Sequence, residues 1–267
     1  QCDFINTEHC LYPWPNNFFT TAENNGTTGL RLNMQITAMP KNSAGKAVDP
    51  TEWNRSDGFS PGQMMLARVP GIDMAMTGAV PITNIEDSFR SNQPVIVIDA
   101  ETGERQLIWS EIDANLTKQT EQQEETPANP QGADPGPGLI IRPAKNLTPG
   151  RRYIVALRNL KNSSGELLTA PAGFRVYRDN LPSAFPQVNN RRDAFNDIFA
   201  RLFNAGVSRS NLHLAWDFTV ISDQNLTERL LHIRDDGLAT LDGTAPLVTL
   251  DPVIDFPAGD DLRTARR

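Results

Sequence analysis

One segment of the chain, residues 58–62, fits the Gly-x-Ser-x-Gly pattern in which α/β-hydrolases carry their nucleophile, with Ser60 at the reactive position. That arrangement needs the backbone N–H of the next residue as an oxyanion donor, and Pro61 has no N–H. A strand should also precede the serine and a helix should follow it, whereas a polar stretch precedes Ser60 and a β-like run follows it. The sequence therefore predicts a tight turn at Ser60 rather than a nucleophile.

His213 and Asp217 are the remaining members of a conceivable triad with Ser60. They lie in an alternating run over 212–220, which predicts a strand with both side chains on the same face. Four residues along a strand span about 13 Å, which is too far for a direct hydrogen bond. We interpret them as polar residues on the less buried face, and a complete enzyme built on these three residues is kept as a third alternative.

Metal and cofactor sites are not indicated by the residue spacing. His9 adjoins Cys10 and Glu8, but no second His or Cys stands at zinc spacing. The acidic pairs at 235–236 and 260–261 lack the loop pattern that calcium needs, and no glycine-rich phosphate loop is present. We predict that this chain contains no catalytic residue, no metal and no cofactor.

The composition restricts the possible partners. The chain has 267 residues, which is long enough for one large or two ordinary domains, and its formal net charge is −7. An acidic chain has no basic field for a phosphate backbone, so nucleic acid is not expected. The longest apolar runs, such as 95–98, are far shorter than the ~20 residues of a membrane span, so no span is expected.

Several features indicate an exported protein, either secreted, periplasmic or on the cell surface. The chain starts at Gln1, which we interpret as the end left after removal of a signal peptide. Cys2 and Cys10 are the only cysteines, and their spacing suits a disulfide in an oxidising compartment. Six Asn-x-Ser/Thr sequons are possible glycosylation sites in a eukaryotic source: Asn25, Asn54, Asn115, Asn146, Asn162 and Asn225.

Hydrophobic periodicity divides the chain into three parts, 1–29, 30–180 and 181–267. The first is an irregular, aromatic-rich arm. The second has short β-like runs separated by turn signals, including Gly103 and Gly165, which is typical of an antiparallel sandwich. Its runs are 30–36, 64–69, 94–99, 105–112, 139–143, 152–157 and 174–177, and residues 115–138 form a polar, solvated insertion.

The third part changes period. An apolar stripe predicts a helix over 190–204, and the alternation over 212–220 predicts a strand with one buried face. A second helix is predicted to begin at Ser222 or Asp223 and to end near Gly237 or a little beyond, with its apolar residues turned inward: Leu226, Leu230 and Ile233. The tail over 246–267 is predicted to be a strand that enters a following domain.

Four stretches share a layout with known proteins: 2–19, where two cysteines precede an aromatic-proline segment, 49–62, 139–143 with 147–156, and 214–220. They resemble the N-terminal region of large secreted, mostly bacterial α/β-hydrolase-like proteins, similar to the N-terminal domain of virulence-factor-type lipases. The resemblance covers most of the chain apart from 115–138. It implies a mainly β fold, in which an Ig-like antiparallel β-sandwich with an irregular N-terminal arm is followed by a helix-strand-helix extension leading into an α/β-hydrolase domain.

Two functions follow as expectations. In the first, this chain is the non-catalytic N-terminal portion of an esterase or lipase, and it scaffolds a downstream serine-hydrolase domain or a second chain of the same precursor, with cleavage at the basic run 263–267. Its substrate would be an ester or polymer, and residues 190–267 should expose apolar surface. In the second, the chain is a stand-alone secreted Ig-like binding or surface-assembly module. That function predicts a paired strand over 247–250 and no uncovered apolar face.

Overall fold

The structure, a computed structural model, describes residues 2–6, 11–113, 138–245 and 247–249. The chain divides into two compact units, Gln1–Leu226 and Thr227–Arg267. The boundaries expected after residues 29 and 180 both fall within the first unit. The expected insertion over 115–138, apart from Gly138, lies outside the described residues, as do Cys10, Asn115 and the basic run 263–267.

The first unit begins with the arm and a two-stranded antiparallel sheet. A 3₁₀ turn at Asn17–Phe19 leads into β1 (Thr20–Ala22), which pairs with β2 (Leu30–Leu32). The expected strand over 30–36 therefore ends early. The amide of Asn54 replaces a strand partner there: its Oδ1 accepts from Met34 N at 2.9 Å and its Nδ2 donates to Met34 O at 3.0 Å. Further 3₁₀ turns follow at Ile36–Ala38 and Trp53–Arg55.

Two further antiparallel sheets make up the body of this unit. One has the order β3-β6-β5, with β3 at Met65–Arg68, β5 at Ile108–Ile112 and β6 at Gly138–Pro143. The other has the order β4-β7-β8, with β4 at Val95–Asp99, β7 at Arg152–Arg158 and β8 at Leu212–Thr219. The three antiparallel sheets agree with the expected mainly β organisation at this coarse level. The two turn glycines also have the predicted backbone, with φ of 74° at Gly103 and 79° at Gly165.

Five α-helices and two more 3₁₀ helices lie among the described residues. The α-helices are α1 (Met74–Thr77), α2 (Ala172–Arg178), α3 (Pro186–Asn189), α4 (Arg192–Asn204) and α5 (Asp223–Leu241); the 3₁₀ helices span Ile82–Phe89 and Arg209–Asn211. The helix expected over 190–204 is confirmed as α4. The strand expected over 174–177 is wrong, because these residues lie in α2. Phe174 and Tyr177, three residues apart, share one helix face and are both buried.

The core is one buried cluster to which both three-stranded sheets and helices α2 and α4 contribute. β8 is buried on both faces, apart from the half-buried Asp217, because α2, α4 and the first 3₁₀ turn pack against it. The expectation that this strand has one solvent-facing side is therefore wrong. A strand covered on both faces cannot be recognised from alternation alone.

Helix α5 begins as predicted, since Ser222 Oγ accepts a hydrogen bond from Asn225 N at 3.1 Å. It continues past Gly237 to Leu241. Its residues Leu226, Leu230 and Ile233 are exposed, so their expected inward orientation is wrong. The described part of the second unit contains no other helix or strand, and residues 247–249 are not in a strand. No described helix is long and apolar enough to cross a membrane.

Candidate functional site

Ser60 lies in a turn immediately after a short parallel bridge between Phe59 and Val220. Ile221 N donates to Phe59 O at 2.8 Å, and Gln63 N donates to Ser60 O at 3.1 Å, which closes the turn. Gly58 permits this approach because a Cβ there would lie 2.5 Å from Ile221 N. The Gly-x-Ser-x-Gly pattern therefore reflects close packing of two backbones and a turn.

His213 and Asp217 are not brought together with Ser60. His213 is buried, and burial lowers its pKa to about 4, with the Leu168 backbone opposing this shift more weakly. The interpretation of His213 as a residue on a less buried face is wrong, because α2 and the chain before it cover this end of β8. Asp217 instead accepts hydrogen bonds from Arg152 Nε at 2.7 Å and Asn17 Nδ2 at 2.8 Å. These partners hold Asp217 in a structural ion pair.

Ser60 opens instead onto an apolar cleft of about 430 Å³ in the first unit. Its floor is buried, and its rim includes the exposed side chains of Val48 and Trp53. The lining residues are Leu11, Trp14, Leu32, Met34, Met39, Pro40, Val48, Trp53, Ser56, Gly58, Phe59, Ser60, Gln63, Ile221 and Leu226. All of them lie in one compact unit, so the cleft is a feature of that unit alone.

The N-terminal arm forms one wall of this cleft. Trp14 pairs with Leu66 of β3 through two backbone hydrogen bonds of 2.9 and 2.7 Å. Its indole packs edge-on against Phe59, with the ring centroids 5.0 Å apart. The irregular segment 33–56, which Asn54 fixes at Met34, also contributes to the lining. Neither segment has helical or strand periodicity, so the sequence pattern does not reveal the cleft.

A buried ion pair anchors the arm. Asp3 is fully buried and accepts from Arg191 at 2.7 and 3.0 Å and from Asn16 Nδ2 at 2.9 Å. Burial lowers the pKa of Arg191. The charge of Asp3 and the hydrogen bond to it raise that pKa by a larger amount, so the net shift is upward. Aromatic rings also surround the guanidinium, with centroids 4.8 to 5.9 Å from Cζ: Phe4, Phe18, Tyr177 and Phe195.

The lining of the cleft is mostly apolar. Among its described lining residues only Ser56, Ser60 and Gln63 have polar side chains, and none is a His, Asp or Glu. A serine without an adjacent base is a weak nucleophile. An apolar cleft with a few polar groups is typical of a small-molecule site. It suits an uncharged apolar group, with hydroxyl and amide groups available to orient a polar end.

The described residues contain no group of three or more metal-ligating side chains. Cys2 is not a free thiol, but Cys10 lies outside the described residues, so the Cys2–Cys10 pairing stays a prediction. Among the described sequons, Asn25 and Asn146 are exposed. By contrast, both polar atoms of the Asn54 amide are hydrogen-bonded, Asn162 Nδ2 donates to Glu166 at 2.9 Å, and Asn225 Oδ1 accepts from Asp57 N at 3.1 Å.

Comparison with known proteins finds no matching family model, no similar curated protein and no similar solved structure.

Proposed function

We propose that this chain is the non-catalytic N-terminal portion of a secreted α/β-hydrolase-like esterase or lipase. In this proposal its two three-stranded sheets form an Ig-like sandwich that scaffolds the catalytic domain and positions the substrate. Two features support the proposal: the resemblance of four stretches to such proteins, and the absence of an activated nucleophile among the described residues. The observation that carries it is the uncovered apolar face of α5.

The apolar face of α5 is formed by residues that share one side of the helix at about 100° per residue. Its members include Leu226, Leu230 and Ile233, all of them exposed, with Leu230 at 71%. Leu247, beyond the helix, is 93% exposed. An exposed apolar stripe of this kind indicates a contact with another protein surface. A downstream catalytic domain or a second chain of the same precursor is the occupant we propose.

The apolar cleft has a separate part in this function. Esterase and lipase substrates carry an apolar acyl or alkyl portion, which the cleft can hold without a charged group opposing it. The exposed rim residues Val48 and Trp53 would contact the part of the substrate that leaves the cleft. Ester cleavage itself would take place on the downstream domain.

Native mass spectrometry of the protein purified from its own source tests the proposal. We expect a second polypeptide, or a larger chain, that carries an intact nucleophile elbow. In the two-chain case, Leu230→Glu and Ile233→Glu should abolish co-purification. His232→Glu, on the polar side of α5, adds the same charge and should leave the co-purification of the second polypeptide unchanged. A single species of 29.5 kDa would overturn the proposal.

The alternative is a stand-alone secreted binding module, and the completeness of the cleft within one unit favours it. In that case the isolated chain should bind a brominated C16 fatty acid, with quenching of tryptophan fluorescence. Trp53→Ala at the rim should weaken binding about tenfold, whereas Trp109→Ala, outside the cleft, should not. Binding without any associated hydrolase would select this function over the first.

A further inference from the structure

A second cavity of about 480 Å³ lies beneath the arm, separate from the apolar cleft. The arm contributes Phe4 and Asn6 to its lining, the end of β3 contributes Arg68, and β8 contributes His213. The segment that leads into α2 also lines the cavity, with Leu168 and Ala172 among its lining residues. The cavity has no part in the scaffolding function or in ligand binding by the apolar cleft.

Two buried acceptor atoms on its lining residues have no hydrogen-bond partner. Asn6 is 2% exposed, and its Nδ2 donates to Arg68 O at 3.1 Å, which leaves Oδ1 unpaired. His213 is 6% exposed, and its Nδ1 is unpaired. A neutral imidazole has one donor and one acceptor nitrogen, and Nδ1 is the acceptor in the tautomer that is protonated at Nε2. Buried polar atoms in folded proteins nearly always have partners.

The acceptors restrict the chemistry of an occupant. A purely apolar molecule would leave both atoms unpaired. Arg68 also lines the cavity and would attract an anion, but a fully deprotonated anion has no hydrogen to donate to either acceptor. Hydroxyl groups satisfy both acceptors, and the apolar surfaces of Phe4 and Leu168 suit the carbon face of a small ring. We infer that this cavity binds a small neutral polyhydroxylated molecule of monosaccharide size. The cavity volume is about sixteen times that of one water molecule, about 30 Å³.

Ligand-observed NMR and calorimetric titration with D-glucose, D-galactose and glycerol test this inference on the whole chain, with inorganic phosphate as the anionic probe. Ala172 lines the cavity but is itself exposed, so Ala172→Phe blocks the space without entering the core. The matched control is Ala200→Phe, on the exposed side of α4.

We expect at least one sugar to bind the wild type and Ala200→Phe equally, and to bind Ala172→Phe at least tenfold more weakly. His213→Leu should reduce binding to a similar extent in any variant preparation whose circular dichroism matches the wild type. The inference is overturned if none of the polyols binds, if phosphate binds in their place, or if Ala172→Phe binds as the wild type does. These expected binding results are the same whether or not the chain belongs to a hydrolase.

Discussion

The buried imidazole of His213 makes the stability of the first unit depend on pH. Burial is the main cause that lowers its pKa from 6.5 to about 4, so the folded protein holds it neutral while the unfolded chain protonates it near pH 6.5. A folded pKa below the unfolded value gives stability that is complete above pH 6.5 and is lost as the pH falls toward 4. We expect a loss of about 3 kcal/mol from this group over that range.

Urea denaturation of the wild type and His213→Gln at several values between pH 4 and 7.5 checks this prediction. Because glutamine does not titrate, the variant should lack this part of the pH dependence while keeping the part due to carboxylates. His232→Gln, at an exposed position in α5, should behave as the wild type. Parallel curves for the wild type and His213→Gln would contradict the prediction.

At the scale of elements, the sequence predicts helices and strands best where the local periodicity agrees with the packing in the folded protein. α4 and the N-terminus of α5 follow from their apolar stripe and their cap, and the strands β3, β4, β6 and β7 follow from bounded apolar runs. The residues of α2 instead combine Val, Phe and Tyr, which favour strands, but burial of Phe174 and Tyr177 on one helix face determines the outcome. Long-range packing of this kind is not encoded in a local pattern.

Only the part of the candidate site that depends on local sequence could be predicted. The turn at Ser60 could be predicted because Pro61 lacks a donor, which is a local property. The cleft could not, since Trp14 and Trp53 line the same cleft only after the arm has folded against β3. The inward orientation expected for Leu230 failed because periodicity identifies an apolar face without showing what covers it.

Gly58 connects the 58–62 turn to the end of β8, and it should tolerate substitution far less than Gly62. In Gly58→Ala the new Cβ would lie 2.5 Å from the backbone N of Ile221, so the Phe59–Val220 bridge must open. We expect a cost of about 2–3 kcal/mol, as for overpacking in a core. In Gly62→Ala the nearest atom is the Asn146 side-chain Oδ1 at 3.2 Å, which can rotate away, so the cost should stay below about 1 kcal/mol.

Urea denaturation of both alanine variants measures this difference, with Ser60→Ala as a control within the same turn. Ser60 is exposed, so its loss should change stability by no more than about 0.5 kcal/mol. Equal stabilities for Gly58→Ala and Gly62→Ala would show that the contact with β8 does not require glycine.

At the scale of the whole first unit, one arm completes two separate cavities. It gives Leu11 and Trp14 to the apolar cleft, and Phe4 and Asn6 to the polar cavity. The fully buried carboxylate of Asp3 ties this arm to Arg191 at the start of α4. Ligand binding at both cavities should therefore depend on an ion pair that lines neither of them.

Asp3→Asn tests this dependence. Removing the charge leaves the Arg191 guanidinium buried without its counterion, and breaking a buried pair costs about 3–5 kcal/mol. The fatty acid and sugar probes should both bind more weakly to this variant under conditions where its circular dichroism still shows a folded body. Glu52→Gln, which removes an exposed ion pair with Arg55, should change stability by less than about 1 kcal/mol and leave both probes unaffected. If Asp3→Asn weakened binding of only one probe, the arm would not act as a single body that serves both cavities.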